Sequence, residues 1–449
     1  MTNPLANKYF FRTPKPSWLC YIHFDEKFDY FTKYGEQKKK YLVFEVIKGI
    51  ISFFPVFLRA FFISLPRTTK SVVVLATTKN QQSSVQEFIN NGAENMLWLE
   101  SLKKIQEYPV MKGYVFYRGL LYLPVIIYEY FTADAYTKSV FVRIWSTVIK
   151  SYGLYSIYKA WFNKNKRSIK AIVVSNDHVY NFRAFYMAAN SLGVKTIYIP
   201  HSSVTNHFPC LEFTAAFLDG KDMLNIYQNK GRSSTKIFLS GPYRYFRDIG
   251  TTIPIKDKTL SVGLCIKTRD NLDDYIDYIS KLLTIENAEI ILRPHPSEKR
   301  SLQKLILDKR ISLSDATSES SLQFLDRVKL LISGSSNILL ECLLKDTYPI
   351  FFDSFGNGWD NYSFVENGIV EKMYTDFDNI VTFIKESERE IEKNFMKLKQ
   401  NIGHYIDLPP NNIDAHLGVR DTISEIIEDK IEYTYFKQKN NDKLVYVYK

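Results

Sequence analysis

Two apolar runs that end abruptly in polar clusters constrain the fold of this chain more than any other feature. The first is Ile290-Ile291-Leu292, which runs straight into Arg293-Pro294-His295-Pro296. The second is Leu330-Leu331-Ile332, which runs into Ser333-Gly334-Ser335-Ser336-Asn337 and then into an apolar helical stretch, 338–344. Neither run alternates polar with apolar residues, so both read as strands of a parallel sheet covered on both faces. In open α/β sheets, ligands bind outside the carboxyl ends of the strands. The two ends are therefore expected side by side, one cationic and one rich in hydroxyls and backbone N–H groups, as a phosphate pocket.

The same punctuation recurs upstream. Val72 to Ala76, Glu94 to Leu99, Ala171 to Ser175, Thr196 to Ile199, Phe213 to Leu218 and Lys236 to Leu239 read as buried strands, with 101–165 mostly helical. A helix over Asn181 to Leu192 is stopped by Gly193. A second set follows: strands at Leu260 to Ile266, Glu289 to Leu292, Leu330 to Ile332 and Tyr348 to Phe352, with helices at 272–283, 338–344 and 376–402. Strands alternating with helices imply parallel sheets. The predicted class is α/β, two Rossmann-like domains facing a cleft, with a helical N-terminal extension. The expected boundaries are 1–70 (helical segment), 71–240 (first domain), 241–258 (linker), 259–405 (second domain) and 406–449 (C-terminal helix and tail).

At 449 residues the chain can hold two or three cores. Its net charge of +11 suits an anionic partner. The basic residues are spread out apart from Lys38-Lys39-Lys40, so no nucleic-acid partner is expected. Four cysteines without paired spacing fit neither a zinc site nor a disulfide scaffold, and no signal peptide is visible, which points to the cytoplasm. Tyr41 to Leu65 is strongly apolar but interrupted by Glu45, Lys48, Pro55 and Arg59. Too broken for a span of about 20 uncharged residues, it reads either as a helix lying on an anionic leaflet or as a buried helical hairpin.

The strand ends carry the chemistry. Arg293 offers a rigid fork for phosphate and His295 a second donor, both braced by prolines. Ser335 or Ser336 is expected to cap the following helix and to meet the same anion, with Ser333 beside them. Glu341 lies one to two turns on and could accept a ribose hydroxyl. In the first half, Asp177 and His178 follow one strand, His201 another, and Asp219 a third. Each is a candidate to take a proton from an acceptor hydroxyl. Asp273, Asp274 and Asp277 sit inside a helix rather than at a strand end, so no metal is expected to be essential. The loop from Phe355 to Asp360 lies at the expected cleft mouth.

Residues 289–341 resemble the donor half of GT-B glycosyltransferases that build bacterial surface polysaccharides. The His-Pro motif followed by Ser-Ser is similar to that of sialyl-, polysialyl- and Kdo-transferases. It is also similar to the Arg-x-His-Pro and Ser-Ser of CDP-glycerol glycerophosphotransferases. The resemblance implies that Arg293 and His295 meet donor phosphate, Ser335 and Ser336 phosphate or nucleoside, and Glu341 ribose. His201 resembles the His-Gly strand end that supplies the base in glycerophosphotransferases, although Ser202 stands where Gly is expected. Asp219-Gly220 resembles the acidic-Gly motif of polysialyltransferases, with Leu218 in place of a second acid. The implied function is inverting, metal-independent sugar transfer from a nucleotide-sugar donor, most simply a CMP-sugar. The acceptor would be a capsular or lipopolysaccharide glycan, free or lipid-linked, and the enzyme would need no cofactor and would sit peripherally on the inner face of the membrane. A CDP-polyol phosphotransferase, a UDP-sugar epimerase of the same shape and a non-catalytic assembly scaffold are the alternatives.

Overall fold

The computed structural model describes Pro14 and residues 67–89, 96–99, 109–231, 233–242, 252–268, 270–386, 388–406, 423 and 425–428. The expectation for Tyr41 to Leu65 and that for the tail beyond 428 lie outside them. The first domain runs β1 (Val72–Leu75), α1 (Lys79–Ile89), β2 (Met96–Leu99), α2 (Pro109–Leu120), α3 (Leu123–Thr132) and α4 (Ala135–Lys164). It continues with β3 (Ala171–Val174), α5 (Tyr180–Asn190), β4 (Lys195–Tyr198), β5 (Ala215–Leu218), α6 (Lys221–Asn229) and β6 (Lys236–Leu239). All six strands are parallel, in the order β2-β1-β3-β4-β5-β6. Every residue of β1, β3 and β5 is buried, which is why these segments carry Val, Ile, Ala and Leu without alternation.

The second domain runs β7 (Ser261–Ile266), α7 (Leu272–Leu282), β8 (Glu289–Pro294), β9 (Ile311–Leu313), α8 (Ser321–Asp326), β10 (Leu330–Ser333) and α9 (Ile338–Leu344). Then follow β11 (Tyr348–Phe352), β12 (Met373–Tyr374), α10 (Phe377–Glu386), α11 (Glu388–Gln400) and α12 (Ile402–Tyr405). Its strands are also parallel, in the order β12-β11-β10-β7-β8-β9. Numbered within the domain this is 3-2-1-4-5-6, the dinucleotide-fold order, whose direction reverses between β7 and β10. The expected two Rossmann-like domains are both present. The short edge strands β9 and β12 escaped the sequence reading, because two or three residues carry no periodicity.

Local chemistry fixes the helix ends. Asn271 caps α7 by accepting the Asp273 N–H, and Asp273 and Asp274 fill its first turn, the solvated acidic turn expected there. Ser320 and Gln323 close a reciprocal capping box on α8. Gly193 ends the α5 segment at φ +73. Lys258, at the end of the stretch expected to be a linker, is buried. Its ammonium donates to the carbonyls of Leu325, Val328 and Lys345 and to Thr347 Oγ1 at 2.6–3.1 Å. The connection therefore merges into the second core before residue 259.

Helices α2 and α4 approach so closely that a Cβ on Gly153 would collide with the Val115 carbonyl, and one on Gly119 with the Ile149 carbonyl. Gly153→Ala must separate these backbones, and is expected to cost about 1–3 kcal/mol of stability in denaturant unfolding. An unchanged midpoint would mean that the helices slide apart freely.

The chain crosses back to the first domain at its end. The Tyr405 carbonyl packs on Gly220, and Ile423 and Ile426 join the core formed by Val72, Ile197 and Phe217. Lys195 Nζ donates to the carbonyls of Ile426 and Ile427 at 2.7 and 2.9 Å. At this crossing Asp222 is buried, 3.7 Å from His404 Nε2, and burial pushes its carboxyl up to about 7. An unfolded aspartate titrates near pH 4, so between about pH 4 and 7 the folded chain holds a proton the unfolded chain has lost. Stability should fall as pH rises through that window. Asp222→Asn should flatten the slope in thermal unfolding, and an unaltered pH profile would contradict this assignment.

Candidate active site

The carboxyl ends of the two sheets face each other. Ser203, three residues past Pro200 and just beyond the end of β4, donates to Asn337 Oδ1 at 2.5 Å, in the loop after β10. Lys79, at the start of α1, donates to the Thr317 carbonyl at 2.9 Å, in the loop after β9. Two independent contacts thus join strand-end loops of one domain to strand-end loops of the other. The expected interdomain cleft is there.

The two motif strands are not neighbours. β7 lies between β8 and β10 and pairs with both, so Arg293-Pro294-His295-Pro296 and the serine loop flank a third strand end. That end carries Lys267, which the sequence reading overlooked. A small crevice lies over the reversal point, lined by Leu264, Cys265, Lys267, Asp270 and Tyr275 on one side and Ile332, Ser333, Gly334, Phe352 and Ser354 on the other. The Lys267 ammonium touches Gly334, where any Cβ would displace it. Burial lowers its pKa, with Asp270, Cys265 and Asp353 pulling the other way. The available signal was position: Lys267 follows its apolar run as Arg293 follows its own.

The turn holding Lys267 is heavily braced. Asp270 Oδ2 accepts from the Lys267 N–H at 2.7 Å and from Tyr275 Oη at 2.6 Å, and Tyr275 Oη also lies 2.9 Å from the Cys265 carbonyl. Arg300 donates to the carbonyls of Asp270 and Lys267 at 2.6 and 3.0 Å while paired with Glu298. This strap ties the β7 end to the β8 end. Such rigidity is what a preorganised binding loop requires.

Arg293 is buried and already engaged. Its guanidinium donates to Ser314 Oγ at 2.6 Å and the Glu319 carbonyl at 3.1 Å, and lies 4.8 Å from the centre of the Phe324 ring. Burial lowers its pKa, opposed by Cys265, Glu319 and Glu341. Its fork therefore serves the β8–β9 edge, and Arg293 contributes a positive field from behind the strand end. His295 is exposed. Its backbone N–H continues the ladder to the Ile266 carbonyl at 2.8 Å, and its Nδ1 accepts from the Ser297 N–H at 3.1 Å, which puts the ring proton on Nε2.

In the serine loop, the residue flanking α9 is Asn337, with no side-chain capping bond, so Ser335 and Ser336 do not cap it as expected. Ser335 Oγ is instead buried with no hydrogen-bond partner among the described residues, and Ser333 Oγ is buried against the Cys265 thiol. Buried orphan hydroxyls are uncommon, and Ser333, two residues before Ser335, lines the crevice. Glu341 is buried in the first turn of α9 rather than exposed. Asp353 ends β11 and accepts from the N–H groups of Phe355 and Gly358, leaving Phe355 and Trp359 exposed at the mouth.

Across the cleft, the four candidate proton acceptors separate. Asp177 is 1% exposed, with one oxygen 3.0 Å from His178 Nδ1 and the other accepting from Tyr227 Oη at 2.7 Å. The fully buried Arg183 donates to its carbonyl. Asp177 orients and does not reach out. Asp219 is likewise buried beneath the β5 end. His178 is partly exposed, its ring 4.3 Å from that of Phe208. His201 Nδ1 lies 2.5 Å from the Ser175 carbonyl, which can only accept, so the proton is on Nδ1 and the lone pair on Nε2. Its loop is the one that touches Asn337. Among the described residues, no group of three or more His, Cys, Asp or Glu could hold a metal ion, and no helix is long and apolar enough to cross a membrane.

No family model matches the chain, and no curated protein matches it. Among solved structures it is similar to the glycotransferase of kitacinnamycin, at 10% identity over 81% of this chain and all of that one, TM-score 0.49. It is also similar to UDP-GlcNAc 2-epimerase from Neisseria meningitidis bound to UDP-GlcNAc, at 11% identity over 79% and 100%, TM-score 0.48. A third is the wall teichoic acid polymerase TagF, at 11% identity over 87% and 98%, TM-score 0.47. Likenesses this distant carry no argument about activity. The strand orders and the facing strand ends define the class directly: two Rossmann-like domains around one cleft.

Proposed function

We propose that the chain is a nucleotide-sugar-dependent glycosyltransferase in which the second domain binds the donor nucleotide and the first supplies the acceptor site and base. The observation that carries this reading is the reversal-point crevice lined by Lys267 and Ser333, with the His201–Ser203 loop of the first domain meeting Asn337 of the serine loop. Donor phosphate meets Lys267 and the hydroxyls of Ser333 and Ser335, with His295 Nε2–H offered from the β8 end and Arg293 adding charge from behind. Glu341 is the candidate partner of the ribose. His201 Nε2 takes the acceptor proton as the hydroxyl attacks the anomeric carbon, and the bond to the nucleotide phosphate breaks with inversion. Cationic stabilisation of the departing phosphate is the largest expected contribution to the rate.

The donor is a cytidine nucleotide sugar and the acceptor a surface glycan assembled on the cytoplasmic side of a membrane; the His-Pro and Ser-Ser motifs support that choice. Thermal unfolding with CMP, CDP, UDP and GDP tests it, since a ligand that binds only the folded state raises its stability. CMP or CDP should give the largest rise. A clear preference for UDP or GDP would remove the cytidine assignment and leave the two-domain nucleotide site standing.

A further inference from the structure

The turn after β11 holds aromatic side chains in water beside the crevice. Ser354 lines the crevice, and Phe355, the next residue, is 61% exposed; Trp359, in the same turn, is 45% exposed. Exposed apolar side chains scattered singly need no explanation. These differ in how firmly their backbone is held. The N–H groups of Phe355 and Gly358 donate to the carboxylate of Asp353 at 3.2 and 2.7 Å, and the Gly356 N–H donates to the Asp353 carbonyl at 3.1 Å. The Trp359 N–H donates to Asn357 Oδ1 at 3.0 Å. Gly356 and Gly358 take φ of +60 and +69, where an L side chain would be strained.

The carboxylate that pins this turn also acts on the crevice. Burial lowers the pKa of the Lys267 ammonium, and the charge of Asp353 is among those that pull it back. Phe352, the last residue of β11, lines the crevice as Ser354 does, so the crevice wall and the aromatic turn are one strand end. On the opposite flank the β8 end presents His295 and the Arg300–Glu298 pair, polar groups suited to phosphate. The apolar surface at the turn is ring-sized and set among the exposed Gly356, Asn357 and Gly358. A stable contact with another protein buries more than about 1,000 Å², which so narrow a patch does not offer.

We propose that Phe355 is the stacking platform for the base of the nucleotide whose phosphate meets Lys267. The inference rests on the nucleotide reading above and adds to it the place of the base. A nucleotide carries its base one ribose away from its phosphate. Consecutive Cα atoms are about 3.8 Å apart, so a ring one residue beyond the crevice wall is within reach of that base. Glu341, the candidate partner of the ribose, lies on α9, the helix that leads from β10 into β11 and so toward the same flank. A platform held in place before binding costs little ordering when the ligand arrives. Stacking accepts any base, because every base has a π-face, so Phe355 adds affinity for a nucleotide without choosing cytosine.

Thermal unfolding of the full chain at increasing concentrations of CMP or of ribose 5-phosphate tests it, since the shift reads weak affinities as well as strong ones. The two ligands share phosphate and ribose and differ in the base. Phe355→Ala should weaken CMP by about five- to a hundredfold and leave ribose 5-phosphate unchanged. The variant without ligand should unfold at the wild-type temperature, because the side chain it removes is exposed. Phe355→Tyr, which keeps the ring, should bind CMP as the wild type does. Lys267→Met should weaken both ligands alike. Unchanged CMP binding by Phe355→Ala would overturn the platform and leave the phosphate site standing. Equal losses of both ligands in that variant would also overturn it, as a general disturbance of the strand end. Were the wild-type chain to bind neither ligand, the nucleotide reading would fall and the platform with it.

Discussion

His201→Ala is expected to lower sugar transfer by about a hundred- to ten-thousand-fold while leaving nucleotide-induced stabilisation intact. The split follows from geometry. His201 stands on the first domain, held by its Nδ1 proton on the Ser175 carbonyl at 2.5 Å. It is not among the residues that line the crevice between β7 and β10. Rate measurements beside thermal shifts with CMP check both halves. Normal turnover in the variant would pass the role to His178, the other strand-end histidine with a ring nitrogen held by a neighbour. Asp177→Asn would then become informative, because Asp177 is 1% exposed and acts only through His178 and Tyr227.

The second large effect is expected at Lys267. Replacing it with methionine keeps the stem that packs in the crevice and removes the ammonium. A charge-assisted hydrogen bond to phosphate is worth about 1.5–3 kcal/mol, so nucleotide affinity should fall by about ten- to a hundredfold. The folded protein alone should be no less stable, since burial of that ammonium is itself unfavourable and lowers its pKa. Titration calorimetry reads the affinity and thermal unfolding the stability. His295→Ala, at the exposed β8 end, should cost less. The reverse ranking, with His295 decisive and Lys267 dispensable, would return the phosphate to the β8 end.

Much of this fold was legible because parallel strands leave a plain signature. β6, β11 and α9 fall on the residues the pattern marks, since fully buried runs must be apolar and their ends must turn polar. What the pattern could not supply was strand order. Arg293 and the serine loop stand out in the sequence, yet lateral placement depends on helix crossovers that no local stretch encodes. The sequence alone cannot place β7 between them. Lys267 was missed for that reason, as one cation among many until its strand occupies the reversal point. Side-chain direction was equally hidden. Arg293 turns toward Ser314 and Glu319 because the β9 edge and α8 bring acceptors to it, and both elements are short. The histidines and Asp177 were identifiable as strand-end residues. Burial then separated the orienting carboxylate from the ring that can reach a substrate.

Amide hydrogen exchange with and without CMP tests the central claim most directly. Cytidine nucleotide in the reversal-point crevice should slow exchange at 264–268 and 333–337, with weaker protection at 200–204 where Ser203 meets Asn337. Protection confined to 293–297, or to the first domain alone, would contradict the account.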